Sequence, residues 1–401
     1  MTIHAQHSEH TFGHPMLKHW SLEPDIVYLN HGTVGVTPNR VLQAQQAIRD
    51  QIERQPARFM LRELEHHTSG PPAQTPRIRA AAAAVAAFLG ACGEDLVFVD
   101  NATTGINAVL RSLPFAAGNE ILLLDLAYGA VTNTAHYVAR ERGATVVTVH
   151  IPFPNTDPDE VVDLIAAAIT PRTKILVVDH VSAFTSLILP LPEIAAACHA
   201  KGVPVRVDGA HAPGALELNI PALGVDWYVG NLHKWAFVPR ACAILWASPE
   251  RQQGIHPTVI SWGLDQGFTQ EFDLLGTKDP SASLVAPEAI RFIRDLGETH
   301  MRQHNHDLAW QAAHWLAEHL GTVFTTRPSM AGCLVSVPLP GHAGSSPQEA
   351  FVLQHALLYQ DQIEIPILAI NGGLYARISA QVYNQMSDIE RLGQALQARL
   401  R

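Results

Sequence analysis

Between residues 96 and 247 short apolar runs alternate with amphipathic stretches, and nothing else in the 401-residue chain constrains its fold as strongly. The runs predict strands at 96–99, 120–124, 145–149, 174–178, 203–207, 227–230 and 241–246. Helices are expected between most of them, near 104–112, 130–142, 158–168 and 192–201. Strands that are apolar throughout have no face to turn to water, so they predict a mostly parallel sheet covered on both sides. Upstream, Thr37-Pro38 is expected to open a helix, with Thr37 as its cap. An Ala-rich helix follows around 76–91. Beyond residue 255, a loop rich in Gly and aromatics leads to a long helical stretch (281–320) and a smaller α+β set. The expected division is an arm (1–24), a large domain (25–280) whose N-terminal segment also serves the small domain or active site, and a small domain (281–401).

Composition narrows the class. Apolar residues make up 47% of the chain and charged residues 16%, which marks a folded chain. A chain of this length buries enough surface to need no disulfide or metal staple. Its four cysteines, Cys92, Cys198, Cys242 and Cys333, form no CxxC and no close pair, against a disulfide scaffold or a zinc ribbon. Lys+Arg of 27 against Asp+Glu of 37 leaves a formal charge of −10, the wrong sign for a nucleic-acid partner. No apolar run approaches the ~20 residues of a membrane helix, and Met1 to Trp20 lacks the apolar core of a secretory signal. A cytoplasmic protein with no membrane partner is expected. Histidine, at 22 residues, is the outlier.

Ligands of such sheets bind beyond the carboxyl ends of the strands, so the polar residues after each run matter most. Asn101-Ala102-Thr103-Thr104-Gly105 lies between a strand and a helix start. N–H groups and two hydroxyls there suit a phosphate, and a plain Thr cap is the ordinary alternative. Neither GK[ST] nor GxGxxG is present. Asp208 ends the buried-strand pattern Val203-Pro204-Val205-Arg206-Val207. A carboxylate there needs a partner, either nearby backbone or a protonated pyridine nitrogen. Lys234 lies between Trp227-Tyr228-Val229 and Trp235-Ala236-Phe237. Apolar surroundings lower a lysine toward the neutral amine that condenses with aldehydes, whereas an ordinary lysine snorkels to the surface. An anion site, a ring-nitrogen partner and an aldehyde partner are together what pyridoxal 5′-phosphate requires.

With these residues in view, the sequence resembles class V of the fold-type I pyridoxal-phosphate enzymes, and within it the isopenicillin N epimerase-like branch. The resemblance is carried by Tyr28-Leu29-Asn30-His31-Gly32-Thr33-Val34-Gly35, the run from Asn101 to Asn107, Asp179-His180-Val181-Ser182, Asp208-Gly209-Ala210-His211-Ala212-Pro213-Gly214, Gly230-Asn231-Leu232-His233-Lys234-Trp235, Gly276-Thr277-Lys278-Asp279 and Arg377-Ile378-Ser379. It implies an α/β fold of the type I transferase kind, a mostly parallel central sheet covered by helices plus a smaller α+β C-terminal domain. It implies that Lys234 binds the cofactor aldehyde and then moves the Cα proton, while Asp208 pairs with the ring nitrogen. Thr103, with Ala102 and Thr104, would hold the phosphate, helped by Asn231 and His233. Cysteine desulfurase relatives usually carry a serine at the place of Asn231. Tyr128 takes the place where many relatives stack a histidine on the ring, Ala210 would pack under it, and His211 and Ser182 would approach the phenolic oxygen. Arg377 would take the substrate α-carboxylate, with Asn30, Gly32 and Thr33 also at the substrate. Thr277 would reach the neighbouring subunit's phosphate, which implies a homodimer with shared sites and a small amino-acid-type substrate.

Several reactions share this machinery. The resemblance favours epimerisation. The same branch holds C–S lyases acting on cysteine conjugates, including hercynylcysteine sulfoxide, and class V also contains aminotransferases. A cysteine desulfurase needs a mobile cysteine shortly before the arginine, and residues 364–376 contain none, while Cys333 begins an apparent strand. An epimerase needs proton delivery to both faces of Cα; Lys234 serves one, and the sequence identifies no second acid. Arg58 and Phe59 resemble the epimerase branch as a lining for the distal end of the substrate, with a surface helix end as the equal alternative.

Two readings from other classes compete. A metal enzyme draws on Asp179-His180, Asp208 with His211, and His233, or on the helical pair His300 and His304, which lacks the glutamate of HExxH. The histidines at 4, 7, 10 and 14 are a weak metal site at best, and no metal is expected. A binding protein that kept the fold without the cofactor is opposed by the intact Lys234 and Asp208.

Overall fold

The computed structural model describes residues 11–64 and 75–400. The chain forms two compact units, one of residues 34–290 and 325–330, the other of the described residues up to Thr33 with 291–324 and 331–400.

The larger unit is built on seven strands: β2 (Leu96–Val99), β3 (Glu120–Leu124), β4 (Thr145–Val149), β5 (Thr173–Asp179), β6 (Val205–Asp208), β7 (Trp227–Asn231) and β8 (Ala243–Ala247). β1 (Val27–Tyr28) belongs to the smaller unit. The order is β2-β8-β7-β6-β5-β3-β4, with β8 antiparallel to both neighbours and the remaining pairs parallel. All residues of β2, β3, β6, β7 and β8 are buried, as their continuous apolar character requires. β4 lies at the edge, and its threonines face outward. On one face, Val99, Val177 and Val229 pack with Ile106 and Val109 of the helix Ala102–Ser112. That helix starts at Asn101, whose side chain accepts the Thr104 N–H. Gly105 lets it lie close to the sheet: a Cβ there would stand 2.6 Å from Val229 Cγ1.

The smaller unit carries β9 (Leu334–Pro338), β10 (Ile363–Glu364), β11 (Ile367–Ile370) and β12 (Gly373–Ser379), with β12 between antiparallel β11 and β9, and β1 parallel to β10. The helix Glu298–Leu320 packs on this sheet through Leu308, Ala312 and Leu316. β10 and β11 escape the sequence reading because they are short and Pro366 separates them.

Two local expectations are corrected. The helix after Thr37 spans Asn39–Arg54 with Pro38 at the cap position, and Thr37 Oγ1 instead donates to the Val238 carbonyl at 3.5 Å. The long stretch 281–320 is two helices, Ser281–Leu296 and Glu298–Leu320, parted at Gly297, whose φ of 82° a helix does not accommodate. The described part of the arm is docked: Met16 and Trp20 are buried, and Trp20 meets the rings of Phe292 and Tyr383 at 5.7 and 5.0 Å. The histidines at 4, 7 and 10 lie outside the described residues. Among the described residues no group of three or more metal-ligating side chains is gathered, and no helix is long and apolar enough to cross a membrane.

Candidate active site

All the expected cofactor residues except Thr277 lie at or just beyond the ends of β2, β3, β5, β6 and β7 of the larger unit. At the start of the helix Ala102–Ser112, Ala102 N–H donates to Asn231 Oδ1 at 2.8 Å and Thr104 N–H to Asn101 Oδ1 at 2.9 Å. Thr104 Oγ1 also turns to Asn101, at 3.2 Å. Two side chains thus consume donors that a phosphate was expected to use. The N–H and hydroxyl of Thr103 are the donors of this turn left unengaged among the described residues, so an anion would centre on Thr103.

Asp208 closes β6 and is 4% exposed, with the Ala210 N–H donating to its Oδ1 at 3.0 Å. Asp179 closes β5 in register with it. Two side-by-side buried carboxylates repel, and burial together with Asp208 pushes Asp179 well above the usual carboxylate range. Arg206, two residues before Asp208 and therefore on the same face, is fully buried. Its guanidinium has no hydrogen-bond acceptor among the described residues, but it lies within electrostatic reach of both carboxylates. Burial pushes it down to about 10, still a cation at neutral pH. Behind the same strand ends, His180 Nδ1 meets Tyr228 Oη at 2.9 Å, and burial lowers His180 to about 4, so the ring is neutral.

Lys234 follows β7. Its Nζ lies 3.1 Å from His211 Nε2, and Trp235 Nε1–H donates to His211 Nδ1 at 3.4 Å. His233 has Nδ1 2.8 Å from the Cys242 carbonyl, and burial lowers it to about 4. It therefore offers an anion a neutral ring rather than a charge. Gly35 (φ 68°) keeps its main chain against this turn, since a Cβ there would stand 1.9 Å from the His233 carbonyl oxygen. Tyr128 precedes the helix Gly129–Arg142, is 46% exposed, and stacks on Phe184 with centroids 6.5 Å apart. Ser182 is buried and donates to the Leu126 carbonyl at 3.4 Å. Thr277 is exposed in the loop before the helix Ser281–Leu296. Arg58 is exposed and paired with Glu63 at 2.6 Å.

In the smaller unit, Arg377 lies on β12, 6% exposed, and its Nη2 donates to Thr33 Oγ1 at 2.5 Å. Thr33 in turn donates to Asn30 Oδ1, and Asn30 Nδ2 donates to Glu364 at 2.6 Å. Gly32 lies buried in the turn His31–Val34 that presents Thr33. Arginine, hydroxyl, amide and carboxylate form one chain of hydrogen bonds that fixes the guanidinium. Arg206 and Glu364 were given no role in the site read from sequence, and Trp235 entered it only as an apolar neighbour of Lys234. Only Arg206 carried a signal, a cation within an apolar strand run.

The donor set fits a phosphorylated pyridine aldehyde: a helix start for the phosphate, a buried acid for the ring nitrogen and a lysine held by histidine. Comparison with known proteins agrees. The chain is 33% identical over 93% of its length to "Putative L-cysteine desulfhydrase 1" of Oryza sativa subsp. japonica, covering 83% of that protein. It is 32% identical over 94% of its length to "Isopenicillin N epimerase" of Amycolatopsis lactamdurans, covering 96% of it. Its fold matches a mutant of the cystine C–S lyase C-DES with glycine covalently linked to the PLP cofactor, with a TM-score of 0.77 at 21% identity, over 96% of this chain and 97% of that one. The model of the aminotransferase class-V family matches residues 27–392, and the chain belongs to that family of enzymes.

Proposed function

We propose that this pyridoxal 5′-phosphate enzyme acts at Cα of a small amino acid, and that its reaction is β-elimination of sulfur from a cysteine-type substrate. The observation that carries the reading is the Lys234–His211 hydrogen bond at the end of the strand next to Asp208. When bound, the cofactor supplies an aldehyde for the lysine amine and a ring that draws electrons from Cα. Thr103 receives the phosphate, with Asn231 holding the helix start in place through Ala102, and His233 lending its ring. Asp208 accepts the ring N–H. Tyr128 and Ala210 would pack against the ring, and Ser182 and His211 would serve its phenolic oxygen. Arg377, held by Thr33 and Asn30, grips the α-carboxylate with its planar fork. Lys234 takes the Cα proton and returns one to the departing sulfur. A homodimer in the cytoplasm, with Thr277 of each chain at the other's phosphate, completes the reading; sedimentation of a monomer would remove that part.

Elimination needs one base on one face, and the Lys234–His211 pair supplies it. A persulfide carrier is not required: Cys198, Cys242 and Cys333 are buried with thiols pushed up to about 12, and the one exposed cysteine among the described residues, Cys92, caps the turn Gly93–Asp95. The second reading is epimerisation, which needs a proton donor on the opposite face of Cα; the half-exposed Tyr128 is the hydroxyl offered for that role.

Incubation with cysteine and its S-conjugates in deuterated water separates the outcomes. Pyruvate, ammonia and a released sulfur product, with residual substrate still optically pure, are expected. Deuterated, racemised substrate without pyruvate overturns elimination in favour of epimerisation. Conversion of the cofactor to its amine form indicates transamination.

A further inference from the structure

Trp235 follows Lys234 directly, is 1% exposed, and points its indole Nε1–H at His211 Nδ1, 3.4 Å away. An indole N–H donates and never accepts. His211 Nδ1 therefore presents its lone pair, and the single ring proton of the neutral imidazole resides on Nε2. That nitrogen lies 3.1 Å from Lys234 Nζ. With Nε2–H donating, Nζ is the acceptor, which only an uncharged amine can be. An imidazolium would set N–H against the indole N–H, and an ammonium would set N–H against Nε2–H. The loop that bears His211 is held on the same main chain: a Cβ at Gly214, where φ is 89°, would stand 2.3 Å from the Trp235 carbonyl oxygen.

We propose that Trp235 is a positioning residue that locks His211 in its Nε2–H tautomer and so keeps the Lys234 amine uncharged, ready for an aldehyde. The inference rests on Lys234 as the cofactor-binding lysine, yet concerns a state of the chain that exists before any reaction. Trp235 acts wholly through the ring nitrogen it occupies, so an aromatic residue of similar shape without an N–H cannot replace it.

The test is nitrogen NMR of the full chain with ¹⁵N-labelled histidine, before pyridoxal phosphate is added, with the His211 signals assigned by their loss in His211→Gln. A pyrrole-type Nε2 and a pyridine-type Nδ1 at neutral pH are expected. In Trp235→Phe, His211 should become a tautomer mixture or protonate. Capture of pyridoxal phosphate at pH 7 should slow at least about tenfold, with its rate profile displaced by about one pH unit or more. In a His211→Gln background the Trp235→Phe change should leave that profile where His211→Gln alone puts it. An Nδ1–H tautomer or an imidazolium in the wild-type chain overturns the proposal, and so does a Trp235→Phe protein with unchanged tautomer and capture profile. If Trp235→Phe does not fold, the wild-type spectrum decides alone. Failure of the wild-type chain to capture pyridoxal phosphate at all would instead overturn the assignment of Lys234.

Discussion

Asp179 and Asp208 stand side by side in register at the ends of two adjacent parallel strands, with the buried Arg206 cation on their face of the sheet. Burial first, and the Asp208 carboxylate beside it second, push Asp179 toward its protonated form, and the Arg206 cation opposes them only in part. Native Asp179 keeps a proton that the unfolded chain has lost, so stability falls as pH rises from the ordinary carboxylate range toward the raised native value. Asp179→Asn removes that slope. Denaturant unfolding should show the variant gaining on wild type between pH 5 and pH 8; a constant difference across that range would refute the charge assignment.

His180 works in the opposite direction. Burial lowers it from 6.5 to about 4, so the stability it contributes is complete above pH 6.5 and is lost as pH falls toward 4. At full extent this amounts to about 3 kcal/mol. His180→Gln, uncharged at every pH, should flatten the acid limb of a melting-temperature profile. An unchanged limb would show that another group governs it.

The close approach at Gly105 sets the height of the proposed phosphate site over the sheet. Gly105→Ala should cost about 1–3 kcal/mol through contact with Val229 and weaken pyridoxal phosphate binding roughly tenfold. Val229→Ala in the same chain makes room and should restore most of the affinity. Equilibrium titration of cofactor fluorescence measures both, and a Gly105→Ala protein with wild-type affinity would contradict the placement.

Arg377→Lys keeps the positive charge and loses the planar fork held by Thr33. Loss of a charged hydrogen bond, about 1.5–3 kcal/mol, should raise KM for an amino acid about 10- to 100-fold while cofactor absorbance stays the same. If kcat falls with KM unchanged, the arginine serves some step other than carboxylate binding.

The seven strands of the larger unit were legible because each is a continuous apolar run with a helix beside it, and their ends moved by only one or two residues. Asp208 and Lys234 were legible for the same reason: a charge at the end of such a run stands out. Short strands such as β10 and β11 left no periodicity to read. The partition of donors at the helix start was hidden as well, because Asn231 reaches Ala102 across 129 positions of sequence. The burial of Arg206 was legible from the apolar run around it, but its approach to Asp179 was not, since that depends on which strands become neighbours.

Every proposed step depends on Lys234 as the residue that takes the cofactor. Borohydride reduction of the pyridoxal phosphate-loaded chain, followed by peptide mass mapping, tests this directly. A single phosphopyridoxyl adduct is expected on the peptide carrying Lys234, with none formed in Lys234→Ala. An adduct on a different lysine, or no adduct in the wild-type chain, would contradict it.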